Sequence, residues 1–228
     1  EGLKFILSVS NLKGKKILYA SHAFADAPHA PGNLIFNDYF EQFKETLRLA
    51  QRDNKNIWIF RAHQNSRLLD EKKIFKEFIY YKKRKNILLC PDNVPIEKLL
   101  NKCDVVITGR GTIGFESAAL GKKVIIAGAA PYSGLGIVYQ PETKKKYFDY
   151  IKNFDDLKMN TSLIKKKSKQ LIYILENSLN LKTIKIKNLN KYENNHYLRN
   201  FLTFEDTYNI LSKNIICSQI YKKIIKII

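Results

Sequence analysis

The chain has 228 residues, 45% of them hydrophobic, and a formal net charge of +19. This length fits one large domain or one and a half small ones, and no apolar run approaches the roughly 18 residues that a membrane span needs. The excess charge would attract phosphate-rich ligands, anionic membrane or nucleic acid. Lysines outnumber arginines, however, and no nucleic-acid-binding module is recognisable, so we expect no nucleic-acid partner.

The three cysteines argue against a disulfide framework and against a zinc site. Cys90, Cys103 and Cys217 are odd in number and widely spaced. This usage is typical of reduced thiols in a cytosolic protein.

Five short apolar runs predict the strands of a parallel sheet. They cover residues 17–20, 57–60, 87–89, 105–107 and 124–126, and helical patterns at about 38–52, 70–83, 95–103 and 115–120 separate them. Strands that are apolar on both faces and alternate with helices predict an α/β fold. We expect a Rossmann-like doubly wound parallel sheet of about five strands with a helical C-terminal extension.

Local signals refine the helices. Asn37 and Asp38 are expected to cap the first long helix, and Thr143 to cap a later one that runs to about residue 151. The helix over 70–83 is expected to turn Ile74, Phe78 and Ile79 inward.

We divide the chain into three parts. Residues 1–14 form a lead-in segment or linker, residues 15–160 the Rossmann-like domain, and residues 161–228 the helical extension. The extension contains a predicted helix over 163–179, an ambiguous stretch over 183–189 and an isoleucine-rich helix over 209–228. This last helix either packs on a further domain or lies on anionic lipid. Since the chain begins at Glu1 and not at Met, we expect a fragment whose upstream part is missing.

A glycine turn at residues 109–116 is the strongest local motif. The sequence Gly-Arg-Gly-Thr-Ile-Gly-Phe-Glu lies between a strand and a helix. Backbone N–H groups at such a turn can hold phosphate, and Glu116, just inside the helix, could reach sugar hydroxyls. The alternative is a tight turn that requires glycine for packing alone.

Further polar residues follow the strands. His22, His63, Gly109 and Gly128 each come directly after a strand, so the parallel sheet would bring their loops to one edge. His22 shares its loop with Asp26 and His29. A carboxylate beside histidines could form an acid–base set, or Asp26 could simply cap a turn.

These segments together resemble bacterial capsular or surface polysaccharide biosynthesis glycosyltransferases. The similar stretches are Ser21-His-Ala-Phe-Ala-Asp-Ala-Pro-His29, Trp58-Ile-Phe-Arg-Ala-His63, Asp104-Val-Val-Ile-Thr-Gly-Arg-Gly-Thr112 with its continuation to Glu116, and Pro131-Tyr-Ser-Gly-Leu-Gly136. The resemblance covers about residues 15–150. Gln64 departs from the pattern, because a proline usually follows the histidine there.

The resemblance implies one half of a GT-B fold, namely the C-terminal, nucleotide-sugar-binding domain. An N-terminal acceptor domain would be missing, and no bound metal or other cofactor would be needed. The resemblance also implies a catalytic role for His63, and the acid–base character of the 22–29 loop adds Asp26 and His29 as candidate catalytic residues. The implied donor-binding residues are His22, Arg61, Arg110, Gly111, Thr112, Gly114, Glu116, Tyr132 and Ser133.

We therefore expect a glycosyltransferase module that moves sugar from a nucleotide-activated donor, CMP-linked or with another nucleotide, to a growing surface glycan. The glycan acceptor would be free or lipid-linked, and the protein would be cytoplasmic or peripheral on the inner face of the bacterial inner membrane. The alternatives are a related transferase of glycerol or ribitol phosphate from a CDP donor, and a non-catalytic nucleotide-binding domain.

Overall fold

A computed structural model describes residues 1–26, 32–64, 70–81 and 84–179 of the chain. Its strands are β1 (Lys16–Ala20), β2 (Ile57–Arg61), β3 (Ile87–Leu89), β4 (Val105–Thr108) and β5 (Lys123–Ile126). Its helices are α1 (Gly2–Asn11), α2 (Tyr39–Arg52), α3 (Glu71–Tyr81), α4 (Ile96–Leu100), α5 (Ile113–Ala119), α6 (Lys144–Lys152) and α7 (Thr161–Leu179), with a 3₁₀ turn at Phe154–Asp156.

The five strands form one parallel sheet in the order β3-β2-β1-β4-β5. The chain lays β2 and then β3 on one side of β1, returns, and lays β4 and then β5 on the other side. The strand order therefore reverses between β1 and β4, which is the doubly wound topology that the sequence predicted. The prediction of a Rossmann-like sheet is confirmed.

An aromatic core covers the side of the sheet on which α2 and α3 pack. The rings of Phe43 and Phe75 stack with centroids 4.6 Å apart, and Tyr19 and Phe60 lie beneath them. The sequence prediction for α3 is confirmed for Phe78 and Ile79, which face the core, and was wrong for Ile74. Ile74 is 42% exposed, whereas its neighbour Phe75 is 1% exposed. Phenylalanine at position 75 is the residue that reaches the α2 aromatic cluster.

The predicted caps of two helices are present. The Asp38 carboxylate accepts a hydrogen bond from the Glu41 N–H at 2.6 Å, and the Glu41 carboxylate accepts one from the Asn37 N–H at 2.7 Å. Thr143 accepts from the Lys146 N–H at 3.2 Å. These side chains satisfy N–H groups that have no partner within the helix.

The structure contains helices in both predicted end segments. Residues 1–14 are not only a lead-in segment, because they contain α1, whose Ile6 and Val9 are buried. The sheet and its helices form a compact unit, Glu1–Lys169. The predicted helix over 163–179 is present as α7, while the stretches 183–189 and 209–228 lie outside the described residues. In the described part of the chain, no helix combines the length and hydrophobicity required to cross a membrane.

Asp53 joins the end of α2 to the start of β2. Its carboxylate accepts hydrogen bonds from the Lys55 and Asn56 N–H groups, from the Asn56 side-chain amide and from Trp58 Nε1 at 2.9 Å. Burial alone would raise the pKa of Asp53, but these hydrogen bonds outweigh it and lower the pKa. The buried Trp58 ring is thus held by an ionised carboxylate.

Replacing Asp53 with alanine should lower the free energy of unfolding by about 2–4 kcal/mol, because the Trp58 and Asn56 donors lose a charged acceptor. Asp53→Asn should lose less, since the amide oxygen can still accept. Urea unfolding followed by the fluorescence of Trp58, the single tryptophan of the chain, measures the effect. Asp156→Ala, at an exposed site, is the matched control, and an Asp53→Ala midpoint equal to that of the control would contradict the assignment.

Candidate functional site

A cavity of about 330 Å³ opens at the carboxyl ends of β1, β2 and β4. It lies where the strand order reverses, which is the place where ligands bind in open α/β sheets. Its lining comes from three loops and from α4 and α5: Ala20, Ser21, His22, Arg61, Ala62, His63, Gln64, Ile96, Thr108, Gly111, Thr112, Ile113 and Glu116. The strand-end loops of β1, β2 and β4 therefore meet as the sequence predicted.

A larger cavity of about 690 Å³ lies elsewhere, bordered by α2, α6 and the start of β2. Three of its charged groups already have partners within the fold, since Arg48 pairs with Glu45 and Asp53 holds Trp58. We place the candidate site at the smaller cavity because two histidines and the glycine turn line it.

Three aromatic rings stack beside the smaller cavity. The His22 ring lies on the Tyr39 ring with centroids 4.2 Å apart and planes inclined by 9°. The His63 ring lies near His22 with centroids 5.4 Å apart and planes inclined by 6°. Tyr39, the first residue of α2, is buried and supports the stack from below. The stack fixes the planes of both imidazoles before any ligand arrives.

Asp26 extends the stack into an acid–base arrangement. Its Oδ2 lies 3.4 Å from His22 Nδ1, and its side chain is 56% exposed, against 12% for His22. Burial lowers the pKa of His22, and the charges of His63 and Arg110 lower it further, while Asp26 opposes the change. Burial also lowers the pKa of His63, against the opposing charges of Asp26 and Glu71. Both imidazoles are therefore neutral near pH 7, and each can accept a proton at one ring nitrogen and donate from the other.

The glycine turn presents backbone donors to the cavity. Within the described part of the chain, the N–H groups of Gly111 and Thr112 make no hydrogen bond. The turn is braced from behind, because the Tyr132 hydroxyl donates to the Gly111 carbonyl at 2.6 Å. Two N–H groups are thus available to an anion at a place where the backbone is already fixed.

Gly114 is required by packing. An added Cβ would lie 2.2 Å from the Tyr132 hydroxyl and 2.8 Å from its Cζ. The packing interpretation of the glycine motif therefore accounts for Gly114. At Gly111 an added Cβ would make contacts that are only slightly tight, so packing does not explain this glycine, and its N–H remains open.

The other predicted donor-binding residues differ in placement. Glu116 and Arg61 line the cavity, although the Arg61 guanidinium also donates to the Val94 carbonyl at 2.9 Å. Arg110 is buried and donates to the Gly32 carbonyl at 3.2 Å, with its guanidinium carbon 5.9 Å from the Tyr39 ring centre. Arg110 therefore acts on the site through charge and packing from behind the stack.

Tyr132 and Ser133 do not belong to the cavity lining. Tyr132 is 1% exposed and burial raises its pKa, so its hydroxyl stays protonated and supports Gly111. Ser133 Oγ accepts from the Ala130 N–H at 2.8 Å within its own loop. Tyr132 thus supports the glycine turn and Ser133 supports its own loop, and the contact of these two residues with a donor stays a prediction. His29 lies outside the described residues.

Glu71 is the residue that sequence reasoning missed. It begins α3, is 6% exposed, and accepts hydrogen bonds from the N–H groups of Phe24 and Ala25 in the loop that carries His22 and Asp26. The sequence shows only an acidic residue in the first turn of a helix, which is favourable on any helix.

Across residues 1–26, 32–64, 70–81 and 84–179, no group of three His, Cys, Asp or Glu side chains is arranged to hold a metal ion.

A sequence model of the family described as capsule polysaccharide biosynthesis protein matches residues 10–174, which is more than half of the chain. The chain belongs to this family. The match includes the whole sheet and every described residue of the cavity, so the family resemblance drawn from the motifs is confirmed. No curated protein sequence matches the chain.

Several solved structures are similar to the chain at low identity. S. aureus MnaA with UDP shares 17% identity at a TM-score of 0.47, over 78% of this chain and 49% of the other. The wall teichoic acid polymerase TagF shares 15% at 0.45, over 73% and 41%. The Thermosulfurimonas dismutans KpsC beta Kdo 2,4 transferase shares 14% at 0.40, over 72% and 52%. The chain thus spans about half the length of the structures it matches, and similarity at this level assigns no substrate.

The histidine pair should make the stability of the fold depend on pH. Because both histidines have lowered pKa values in the folded state, the unfolded chain binds more protons once the pH falls toward the ordinary histidine pKa of about 6.5. Stability should therefore be fully present above that value and should fall as the pH is lowered from 7 to 5.5. Urea unfolding across this range should give a flatter profile for His22→Gln/His63→Gln than for the wild type. Parallel profiles would contradict the assignment.

Gly114→Ala should destabilise the fold by about 1–3 kcal/mol despite the better helix propensity of alanine, because the methyl group overlaps Tyr132. Tyr132→Phe should cost about 1 kcal/mol through the lost hydrogen bond. In the double variant the loss of unfolding free energy should be smaller than the sum of the two single losses, since both positions share one contact. Additive losses in thermal or urea unfolding would show that the two positions are independent.

Proposed function

We propose that this chain is the donor-binding half of a GT-B glycosyltransferase, which moves a sugar from a nucleotide-activated donor to a capsule polysaccharide acceptor. The observation that carries the proposal is the cavity at the reversal of strand order, where two open N–H groups, two neutral histidines and one carboxylate converge. Membership of the capsule family supplies the context.

The donor phosphates would lie at the glycine turn. The Gly111 and Thr112 N–H groups and the exposed Thr112 hydroxyl can donate to phosphate oxygens, and Arg61 adds positive charge at the same cavity. His63 lines the same cavity as the turn and can donate an N–H to the bridging or leaving oxygen. Donors held in fixed positions stabilise the charge that develops on the leaving nucleotide.

The nucleotide ribose would bind to the carboxylate of Glu116, and the acceptor would depend on the carboxylate of Asp26. Glu116 can accept hydrogen bonds from ribose hydroxyls, because it lies in the first turn of α5, directly after the phosphate-binding residues. Asp26 can orient His22, whose other nitrogen then takes the proton of the attacking acceptor hydroxyl. His29 remains a further predicted member of this acid–base set.

The partners of the whole protein follow from the same proposal. The acceptor would be a glycan, free or lipid-linked, presented by an N-terminal acceptor domain, and catalysis would need no bound metal or cofactor. The protein would be cytoplasmic, and the net charge of +19 would favour a peripheral position at an anionic membrane surface. A CDP-linked glycerol or ribitol phosphate donor would meet the same phosphate contacts, so the product decides between the two reactions: a glycosidic bond in one, a phosphodiester in the other.

Thermal unfolding with CMP, CDP, UDP, GDP and AMP tests the proposal. A nucleotide that binds only the folded state raises the melting temperature, by an amount set by its concentration relative to Kd. We expect selective stabilisation by one nucleotide. His63→Ala and Glu116→Ala should each weaken its binding about 10- to 100-fold, since each removes a hydrogen-bonding partner of a polar or charged ligand.

Glu142→Ala is the matched control, because Glu142 is exposed and does not belong to the cavity lining. Calorimetric affinities that are equal for the control, His63→Ala and Glu116→Ala would place the nucleotide elsewhere. Binding by RNA or DNA that falls steeply with salt, together with no nucleotide selectivity, would favour a nucleic-acid binder instead.

A further inference from the structure

Glu71 is a buried carboxylate whose two oxygens serve the same loop. Its Oε2 accepts from the Phe24 N–H at 2.8 Å and its Oε1 accepts from the Ala25 N–H at 2.5 Å. The side chain is 6% exposed, so each oxygen depends on these partners to offset its loss of water. A two-point attachment of this kind restrains both the position and the orientation of the loop backbone.

The restrained residues lie between two members of the candidate site. His22 precedes Phe24 and Ala25, and Asp26 follows them, so the attachment fixes the segment that sets the 3.4 Å approach of Asp26 to His22. The Phe24 ring packs against the rings of Phe40, Phe43 and Phe75, with centroid distances of 5.2–6.3 Å. The loop is therefore anchored by its backbone to α3 and by one side chain to the core.

Glu71 also acts on the other histidine through its charge. Burial lowers the pKa of His63, and the Glu71 and Asp26 carboxylates oppose this change. The start of α3 is itself held in place, because Lys72 forms an ion pair with Asp92 in the segment after β3. One buried carboxylate thus connects the His22–Asp26 loop with His63.

We infer that Glu71 is a positioning residue of the candidate site, which holds the His22–Asp26 loop over the cavity through its two backbone hydrogen bonds. The inference concerns the fold of the loop directly, and its consequence for nucleotide binding rests on the proposed function. The competing interpretation is that Glu71 merely stabilises α3, since a carboxylate in the first turn favours any helix.

Two substitutions separate the contributions of charge and geometry. Glu71→Gln keeps the size of the side chain but removes the charge, and its amide can accept only one of the two N–H groups. Glu71→Asp keeps the charge but shortens the side chain by one methylene, so it cannot hold both N–H groups at their present distances. Glu77→Gln is the matched control, because Glu77 is exposed on the same helix and undergoes the same charge change.

Nuclear magnetic resonance on the ligand-free chain supplies the first readouts. In Glu71→Gln the titration midpoint of His63 should fall below that of the wild type, whereas Glu71→Asp and Glu77→Gln should leave it nearly unchanged. Amide hydrogen exchange at Phe24 and Ala25 should be about 10- to 100-fold faster in both Glu71 variants and unchanged in Glu77→Gln, because a hydrogen bond to a charged group is lost. If Glu71 only stabilised α3, the Glu71 variants would exchange faster along α3 and would leave the amides of Phe24 and Ala25 at the wild-type rate.

Calorimetry with the nucleotide that stabilises the wild type supplies the last readout. Both Glu71 variants should bind it more weakly, by about tenfold, while Glu77→Gln binds as the wild type does. Wild-type exchange at Phe24 and Ala25 in Glu71→Gln, or wild-type nucleotide affinity in a variant whose loop has loosened, would overturn the inference. If the wild type binds no nucleotide the proposed function fails, and the exchange and titration readouts still decide whether Glu71 holds the loop.

Discussion

The parallel pairing of β1 with strands on both sides is the constraint on which the candidate site depends. Because β1 pairs with β2 in one direction and with β4 in the other, the loops that follow these three strands must leave the sheet side by side. His22 and His63 follow β1 and β2, and the glycine turn follows β4. No local preference of these loops would bring them together, since 41 residues separate the two histidines and a further 46 separate His63 from Gly109. Their proximity is a property of the strand order.

Electrostatics at the site differ from what the net charge suggests. The chain carries +19, yet the two cavity histidines are held neutral, chiefly by burial, and two carboxylates, Asp26 and Glu71, act on His63. Many of the lysines, including Lys145, Lys146 and Lys166, are exposed to solvent, where their charges are screened over about 10 Å. The overall charge can raise the local concentration of an anionic ligand, but the chemistry at the cavity depends on groups whose charge is set locally by burial and by near neighbours.

The fold was largely predictable from the sequence because its signals are local. The apolar runs marked all five strands, and Asp38 and Thr143 marked helix starts by a hydrogen bond made within one turn. The site was predictable only in part. That His22, His63 and Glu116 share a cavity follows from strand order, but the partnership of Glu71 with loop residues 46 and 47 positions earlier depends on where α3 begins in space. For the same reason, the inward position of Phe75 and not Ile74 could not be read from helical spacing, since both are large and apolar.

The glycine turn shows why a motif and its chemistry have to be separated position by position. Gly114 is explained by the Tyr132 hydroxyl, which occupies the space a side chain would need, and Gly109 by the Tyr39 ring, which an added Cβ would approach to 2.8 Å. Neither glycine is therefore evidence for a bound phosphate. Gly111 differs, because the nearest atom to an added Cβ is 3.3 Å away and its carbonyl, not its N–H, is the group that Tyr132 engages. Since Tyr132 fixes the Gly111 carbonyl, the Thr112 N–H of the same peptide unit keeps a defined direction without making a hydrogen bond of its own, and this leaves it available to an anion.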